Sequence, residues 1–477
     1  MPASPTPTPN QTSHVTAPKD RVPLGSKLAY GAGAFADNTM QNGINNMANQ
    51  VYNISLGVDP SLISTGLAVP RLWDALIDPF VGNLSDNCRG RWGRRRPFMV
   101  GGAIATGLFF AAIWMVPMGW SQGAYFAFFL GVLFLYSTGY AMFSVPFLAL
   151  GLELTPDYHE RTRVLSYRTF FAAASGISIQ WMFWLTQRSC FENTVQGMYY
   201  VGAVVGVVIM VLGLLPAFLV PERMGAIAAR QERAPFWRSL REALGNVAFR
   251  RVLYARVAMV FGLFMVQGLG IYVNIYHVFG GDLKAASTLQ GLQGTAYQVA
   301  AMLSIPVVAH LSSRFGKRRT LLGCLILPFF GTLLKWPCFT PANPYLQLIP
   351  VILMAPGIAS LWTLLGSMVA DVCDVDELRH GSRREGVFGA VFFWAFKIGF
   401  SLAFFLSGFV LVWSGFDAGL GPRQAPEAIT TMRVLFTLLP ATAIIVALWC
   451  VSRFPINEEA AYATRTALEQ RRGVVNT

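Results

Sequence analysis

Residues 69–97 read VPRLWDALIDPFVGNLSDNCRGRWGRRRP, an otherwise apolar helix that carries three charges and then breaks into a basic loop. Arg71, Asp74 and Asp78 are spaced at i, i+3 and i+7, which places them on one helical face. A charge at the centre of a membrane helix costs about 2.5–3.5 kcal/mol. Two carboxylates one turn apart repel each other, which is typical of a site that binds H⁺ or Na⁺. The alternative is a buried Arg–Asp network that only locks helices together.

The composition places this helix in a membrane. The chain has 477 residues, of which 54% are hydrophobic and 13% are charged, against about 25% charged in ordinary soluble domains. Twelve apolar stretches are long enough to span a bilayer, which takes about 20 residues each. Only short loops remain between them, so we predict an all-α membrane protein with twelve transmembrane helices.

The net charge of +13 is distributed unevenly over the loops. Most lysines and arginines fall in the N-terminal arm, the even-numbered loops and the C-terminal tail. The odd-numbered loops hold only Arg188, Lys284, Lys335, Arg423 and Arg433. This asymmetry is typical of cytoplasmic loops. It predicts a multi-pass protein of the plasma membrane (the inner membrane if bacterial), with both termini cytoplasmic and no nucleic-acid partner.

Two basic motifs repeat at an offset of 223 residues, RWGRRRP from Arg91 and RFGKRRT from Arg314, and the same offset relates Arg161 to Arg384. Such internal repeats are typical of transporters with a substrate site between two halves. We therefore predict a disordered cytoplasmic arm (1–27), a six-helix bundle (28–220), a central cytoplasmic loop (221–253), a second six-helix bundle (254–455) and a cytoplasmic tail (456–477).

The first span is unusually polar. Its amides recur at helical spacing, at Asn38, Asn42, Asn45, Asn49 and Asn53, and Asp37 precedes them. One interpretation is a polar seam between helices. The other is the wall of a water-filled cavity for a polyhydroxylated solute. The formal charges assigned to the spans sum to zero. Three cations, Arg71, Arg168 and Lys397, balance three acids, Asp37, Asp74 and Asp78.

Several motifs resemble the glycoside–pentoside–hexuronide:cation symporters, the branch of the major facilitator superfamily that includes melibiose permease. They are R-x-W-D-A-x-x-D-P with R-W-G-R-R-R-P, A-D-x-x-D at the end of the tenth span, and Lys397, which lies 26 residues after Asp371. The resemblance implies a major facilitator fold of two pseudo-symmetric bundles. It also implies that Asp74 and Asp78 hold the coupling cation, with Lys397 as their partner from the other half.

The same resemblance implies that Asp37, Tyr140, Arg168 and Trp362 line the sugar site. Arg71, Ser144 and the amides Asn38, Asn42 and Asn45 complete the candidate substrate-binding set. Candidate gate residues at the cytoplasmic ends are Asp86, Arg94, Arg161, Asp371, Asp374 and Arg384. A solvated loop is the default interpretation of the arginines in residues 89–96, and a clamp between Asp86 and an arginine is the added hypothesis.

The departures from the family pattern concern the ion and the solute. Ile77 and Ala141 stand where sodium-using members have side-chain oxygens, so we favour H⁺ over Na⁺, with Asp74 and Asp78 as the possible Na⁺ site. Ser144, Leu148 and Ala36 replace an aspartate, a tryptophan and a lysine of the melibiose-type site. The solute is then a different sugar or glycoside, such as an acidic sugar.

The functional prediction is a cation-coupled sugar or glycoside symporter that needs no cofactor or structural metal and works as a monomer. A lysolipid transporter on the same fold is the main alternative. A membrane-embedded enzyme is disfavoured, because the five histidines show no HExxH spacing and no GxSxG motif is present.

Overall fold

The fold is entirely helical over the residues that the computed structural model describes: 21–88, 93–155, 157–221, 241, 243–380, 385–421 and 423–471. Up to residue 221 the long helices are α1 (Leu24–Ala48), α2 (Pro60–Asn87), α3 (Arg96–Ala112), α4 (Gln122–Glu153), α5 (Tyr158–Thr186) and α6 (Thr194–Leu219). The last turns of the first span, Asn49–Ser55, are wound more widely as a π-helix.

The second half repeats this arrangement. Its helices are α7 (Val247–Met265, continued by Gln267–Tyr272 and Val273–Val278), α8 (Leu283–Phe315), α9 (Lys317–Cys338), α10 (Leu348–His380), α11 (Glu385–Trp413) and α12 (Pro426–Ser452), followed by the short α13 (Glu458–Arg471).

Eight helices of the described chain, α4 and α6–α12, are long and apolar enough to cross a membrane, and α3 is apolar but shorter. The exceptions α1, α2 and α5 carry the amides and charges noted in the sequence, which lower their hydropathy. The prediction of an all-α membrane protein is therefore confirmed. The count of twelve membrane crossings stays a prediction.

Several helices begin where a side chain can replace the missing backbone partners of a first turn. Asp59 accepts a hydrogen bond from the Ser61 N–H at 2.7 Å and so caps α2. Asp157 caps α5 in the same way through the Glu160 N–H at 2.7 Å. Asp282 caps α8 through the Ala285 N–H. These caps fix the ends of the helices that build the interface between the halves.

The halves meet through two helix pairs, α2 with α11 and α5 with α8. Gly408 of α11 lies so close to α2 that a Cβ would be 2.2 Å from the Pro60 carbonyl oxygen. A Cβ on Gly294 of α8 would be 2.0 Å from the Gln180 side chain of α5. Glycine permits such a close approach because it has no Cβ.

Hydrogen bonds close the same side of the interface. Tyr272 donates to Asn53 (2.7 Å), Trp181 donates to Thr295 (2.9 Å) and Gln290 donates to Asn46 (3.2 Å). All three bonds lie on the side of the protein away from the basic loops that precede α3 and α9. The structure is thus closed on this side, which we call the sealed side.

Ion pairs on the opposite side involve the two basic motifs that repeat in the sequence. Arg94 and Arg95, just before α3, reach Glu153 at the end of α4 at 3.1 and 2.7 Å. Lys317, at the start of α9, reaches Asp371 in α10 at 2.6 Å. Arg94 and Lys317 are separated by the same 223 residues as the basic motifs. The repeat therefore relates the basic partners of these pairs, whereas the acidic partners Glu153 and Asp371 occupy different positions in the two halves.

Three helices begin within segments that were predicted as arm, loop or tail. Helix α1 begins at Leu24, inside the arm predicted as disordered, because the Val22 N–H and the Lys27 ammonium both bind the buried Glu160 carboxylate. Helix α7 begins at Val247, inside the predicted central loop. The predicted tail contains α13, whose Leu468 is buried.

Candidate functional site

A pair of opposite charges joins the two halves. The Lys397 ammonium of α11 is in direct contact with the Asp78 carboxylate of α2. The side chains are 43% and 26% exposed, so water and ions can reach the pair. Because α2 and α11 belong to different halves, any change of charge at Asp78 acts directly on the contact between them.

Asp74 lies one turn before Asp78 in the same cluster. Its carboxyl group interacts electrostatically with Arg71, Asp78 and Lys397. Its Oδ1 is buried and has no hydrogen-bond partner among the described residues. A buried carboxylate oxygen without a partner carries a desolvation cost, which a bound proton or cation removes.

Arg71 connects this cluster to aromatic rings of the other half. Its guanidinium carbon lies 4.2 Å from the centroid of the Phe400 ring and 4.6 Å from that of Phe404. Such cation–π contacts contribute about 0.5–2 kcal/mol, depending on how far the cation is desolvated. Helices α2 and α11 are therefore joined by an ion pair and by a cation–aromatic stack.

A second charged group lies on α1, α4 and α5. The Arg168 guanidinium is 3.9 Å from the Asp37 carboxylate, which also interacts with the Tyr140 hydroxyl. The Asp37 Oδ1 is buried without a partner in the described chain. These groups can donate hydrogen bonds to a hydroxylated ligand and accept hydrogen bonds from it.

The main cavity has a volume of about 440 Å³ and lies between the halves, within the range of small-molecule sites. Its lining is rich in amides, from Asn45, Asn46, Asn49 and Gln50 of the first half and Gln267, Asn274, Gln290 and Gln293 of the second. Trp362, which is 41% exposed, and Phe404 provide ring surfaces. The cavity can therefore bind a solute with many hydroxyl groups and an apolar face.

The asparagine stripe of α1 divides into two parts. Asn45 and Asn49 line the cavity. Asn38 instead donates to the Ala172 carbonyl of α5 at 2.7 Å, and Asn42 donates to Asn38 at 2.8 Å. Asn53 is fully buried and bonds Tyr272. Each interpretation of the stripe thus applies to some of its members.

The predicted sugar-site residues do not all surround this cavity. Asn45 and Trp362 line it, and Arg71 reaches its wall through Phe404. Asp37, Tyr140, Ser144 and Arg168 are not part of its described lining. Their role in binding a sugar stays a prediction.

Two cations of the cavity region were missed by the sequence. Lys335, assigned above to a loop, is a buried residue of α9 and lines the cavity. Arg256 of α7 is buried over the rings of Phe392 (4.1 Å) and Trp362 (5.2 Å). Arg433, also assigned to a loop, lies in α12. Hydropathy windows place such residues in loops because each lies near the end of an apolar stretch.

The candidate gate residues take part in contacts at the side of the basic loops. Arg94 pairs with Glu153 and Asp371 with Lys317. Arg161 donates to the Thr155 carbonyl at 3.3 Å. Asp374 also makes contacts. The side chain of Asp86 and the whole of Arg384 lie outside the described residues.

The described chain contains no group of three His, Cys, Asp or Glu side chains that converge as for a metal ion. Hard cations such as Na⁺ need several oxygen ligands, whereas a proton needs one base. The preference for H⁺ over Na⁺ stays a prediction.

The two-bundle fold, with an amide-lined cavity at the interface and charges shared across it, defines a membrane transporter of the major facilitator type. Residues 29–458 match the family described as "MFS/sugar transport protein". The chain belongs to this family, which confirms the resemblance to the glycoside–pentoside–hexuronide:cation symporters. It is a transporter and not an enzyme.

Similar proteins span almost the whole chain. The isoprimeverose transporter of Lactiplantibacillus pentosus is 24% identical, covering 92% of this chain and 89% of its own length. The sodium-dependent lysophosphatidylcholine symporter 1 of Gallus gallus is also 24% identical, with coverage of 96% and 92%. A bacterial homologue of the human lysosomal transporter Spinster, solved inward-facing and unoccupied, has a TM-score of 0.61 at 15% identity, covering 94% and 97%. This last likeness concerns the fold alone.

Proposed function

We propose that the protein is a symporter that couples the movement of a cation, preferably H⁺, to that of a sugar or glycoside. The observation that carries this proposal is the Lys397–Asp78 contact between the halves, next to the unpartnered Asp74 oxygen. The family supports transport of a sugar. The amide-lined cavity supports a polyhydroxylated solute.

The coupling follows from electrostatics at α2. A proton that binds the Asp74–Asp78 pair removes one negative charge, and Lys397 then loses part of its attraction to α2. The contact between α2 and α11 weakens, and the halves can rock about the cavity. A bound sugar contributes hydrogen bonds to amides of both halves and so favours the states in which the cavity is closed around it.

We further propose that the basic loops lie in the cytoplasm and that the sealed side faces outward. The charge asymmetry supports this orientation. The described conformation is then closed toward the outside. The Arg94–Glu153 and Lys317–Asp371 pairs hold the cytoplasmic helix ends within each half, and Asp86 and Arg384 are proposed to assist them.

The test is the Asp78→Asn variant, with Asp59→Asn as its matched control. Asp59 lies on the same helix but only caps its outer end, and asparagine caps a helix equally well. Purified proteins are first screened for thermal stabilisation by sugars and glycosides. Uptake of the best ligand into proteoliposomes is then measured under an imposed H⁺ or Na⁺ gradient.

We expect wild type and Asp59→Asn to accumulate the sugar in response to a pH gradient. Asp78→Asn retains binding but loses accumulation, because the amide cannot exchange a proton. Gradient-driven uptake by Asp78→Asn at the wild-type level would refute the coupling role.

A second candidate is transport of a lysolipid, which the similarity to the chicken lysophosphatidylcholine symporter favours. The amides that line the cavity disfavour it, since an acyl chain cannot satisfy their hydrogen bonds. If lysophosphatidylcholine stabilises the purified protein and none of the sugars does, the lipid is the substrate.

A further inference from the structure

Lys335 is a buried cation in the wall of the main cavity. Its side chain belongs to α9, three residues before the helix ends at Cys338. The residue is 8% exposed, and it lines the same cavity as Trp362 and the amides.

The ammonium of Lys335 has no acidic partner in the described chain. Its Nζ lies 3.9 Å from the centroid of the Phe436 ring. The cations near the cavity that do not line it differ in their partners. Arg168 and Lys397 pair with Asp37 and Asp78, Arg71 interacts with Asp74, and the buried Arg256 lies over the Phe392 ring. A single aromatic ring compensates a buried ammonium only in part, since the desolvation cost of a buried charge exceeds a cation–π contact. Among the described residues that line the cavity, Lys335 is the one lysine or arginine, and no acidic side chain lines it there.

Other groups of the cavity lining also lack hydrogen-bond partners. Asn274 Oδ1 and Gln290 Oε1 are buried without hydrogen-bond partners in the described residues, and both side chains line the cavity. Buried polar atoms without partners are rare in folded proteins. Acceptors for hydroxyl groups and a donor for an anion thus occur in the lining of one cavity.

We propose that the Lys335 ammonium binds a carboxylate of the transported solute, so that the substrate is an acidic sugar or a glycoside that carries a carboxylate. This inference rests on the proposed function and adds the chemical class of the substrate. The Asn274 and Gln290 oxygens accept hydrogen bonds from its hydroxyl groups, and Trp362 stacks on its ring.

The experiment compares two probes of the same shape on the purified full-length protein. They are p-nitrophenyl β-D-glucuronide, which carries a carboxylate, and p-nitrophenyl β-D-glucoside, which does not. Affinities are measured by calorimetry for wild type, Lys335→Gln and Lys335→Arg. Lys284→Gln is the matched control, because Lys284 is exposed on the sealed side at the start of α8.

We expect wild type to bind the glucuronide roughly ten- to a hundredfold more tightly than the glucoside, the range for a hydrogen bond to a charged group. Lys335→Gln loses this preference and keeps its affinity for the glucoside. Lys335→Arg retains a preference for the glucuronide, and Lys284→Gln behaves as wild type.

The inference and the proposed function fail in different ways. Equal affinity of the wild type for both probes, or an unchanged preference in Lys335→Gln, overturns the inference and leaves sugar transport intact. Binding of lysophosphatidylcholine without any sugar overturns both. The wild-type preference is informative even if a variant does not fold.

Discussion

Gly408→Ala should open the sealed side of the transporter. The added Cβ would lie 2.2 Å from the Pro60 carbonyl oxygen and 2.2 Å from the Ser64 hydroxyl oxygen, where ordinary contacts begin at 3.4 Å. The Ser64 side chain can rotate away, but the carbonyl of Pro60 belongs to the backbone of α2. Helices α2 and α11 must therefore move apart by about an ångström wherever they meet on this side.

Overpacking of this kind costs about 1–3 kcal/mol. The cost falls only on conformations in which α2 and α11 touch on the sealed side. It therefore shifts the equilibrium between sealed and open forms by roughly 5- to 150-fold toward the open form. Gly389→Ala is the control, since it makes the same substitution in α11 where a Cβ meets nothing within 4 Å.

The assay is labelling from outside the cell with a membrane-impermeant maleimide. The reporter is Gln267→Cys in the cavity wall, in a Cys190→Ser background because Cys190 is exposed. We expect slow labelling of the reporter in the protein that retains Gly408 and in the Gly389→Ala control. Gly408→Ala should be labelled fast and should lose sugar transport. Equal labelling rates and normal transport in Gly408→Ala would refute the assignment of this contact to the gate.

Two more predictions concern buried polar groups. Tyr272→Phe leaves the buried Asn53 Oδ1 without its 2.7 Å donor, which costs about 1–3 kcal/mol. The same labelling assay should therefore show faster modification of the cysteine reporter. An unchanged rate would place this hydrogen bond outside the gate. Arg256→Met removes a buried cation from the rings around Trp362, so the melting temperature should be unchanged or higher. Sugar affinity should fall severalfold, because the Trp362 indole loses the guanidinium that packs against it. A melting temperature several degrees lower, measured by thermal unfolding, would show that Arg256 instead stabilises the fold.

The charge pattern of α2 illustrates what local sequence can predict. Arg71, Asp74 and Asp78 share a helical face in any α-helix, so their grouping follows from spacing alone. Their contact with Lys397 needs a partner 319 positions away, which spacing cannot supply. The family motif predicted that partner, because the motif reflects the three-dimensional arrangement of its members.

The amides and cations of the cavity show where such reasoning ends. Helical periodicity predicted a stripe on α1, but it could not say that Asn45 faces the cavity while Asn38 binds the Ala172 carbonyl. The sequence balanced three acids against three bases in the spans. The structure adds Lys335 and Arg256 as buried cations, because the helices α9 and α7 include residues that hydropathy assigned to loops.

The sequence by itself determined the membrane class, the two halves and the charged face of α2, since hydropathy, repeats and helical spacing are properties of neighbouring residues. Only the tertiary structure decided which side is sealed, which amides line the cavity and which cations are buried beside aromatic rings. Those features depend on which helix lies opposite each face. Packing between helices that are distant in the chain decides this.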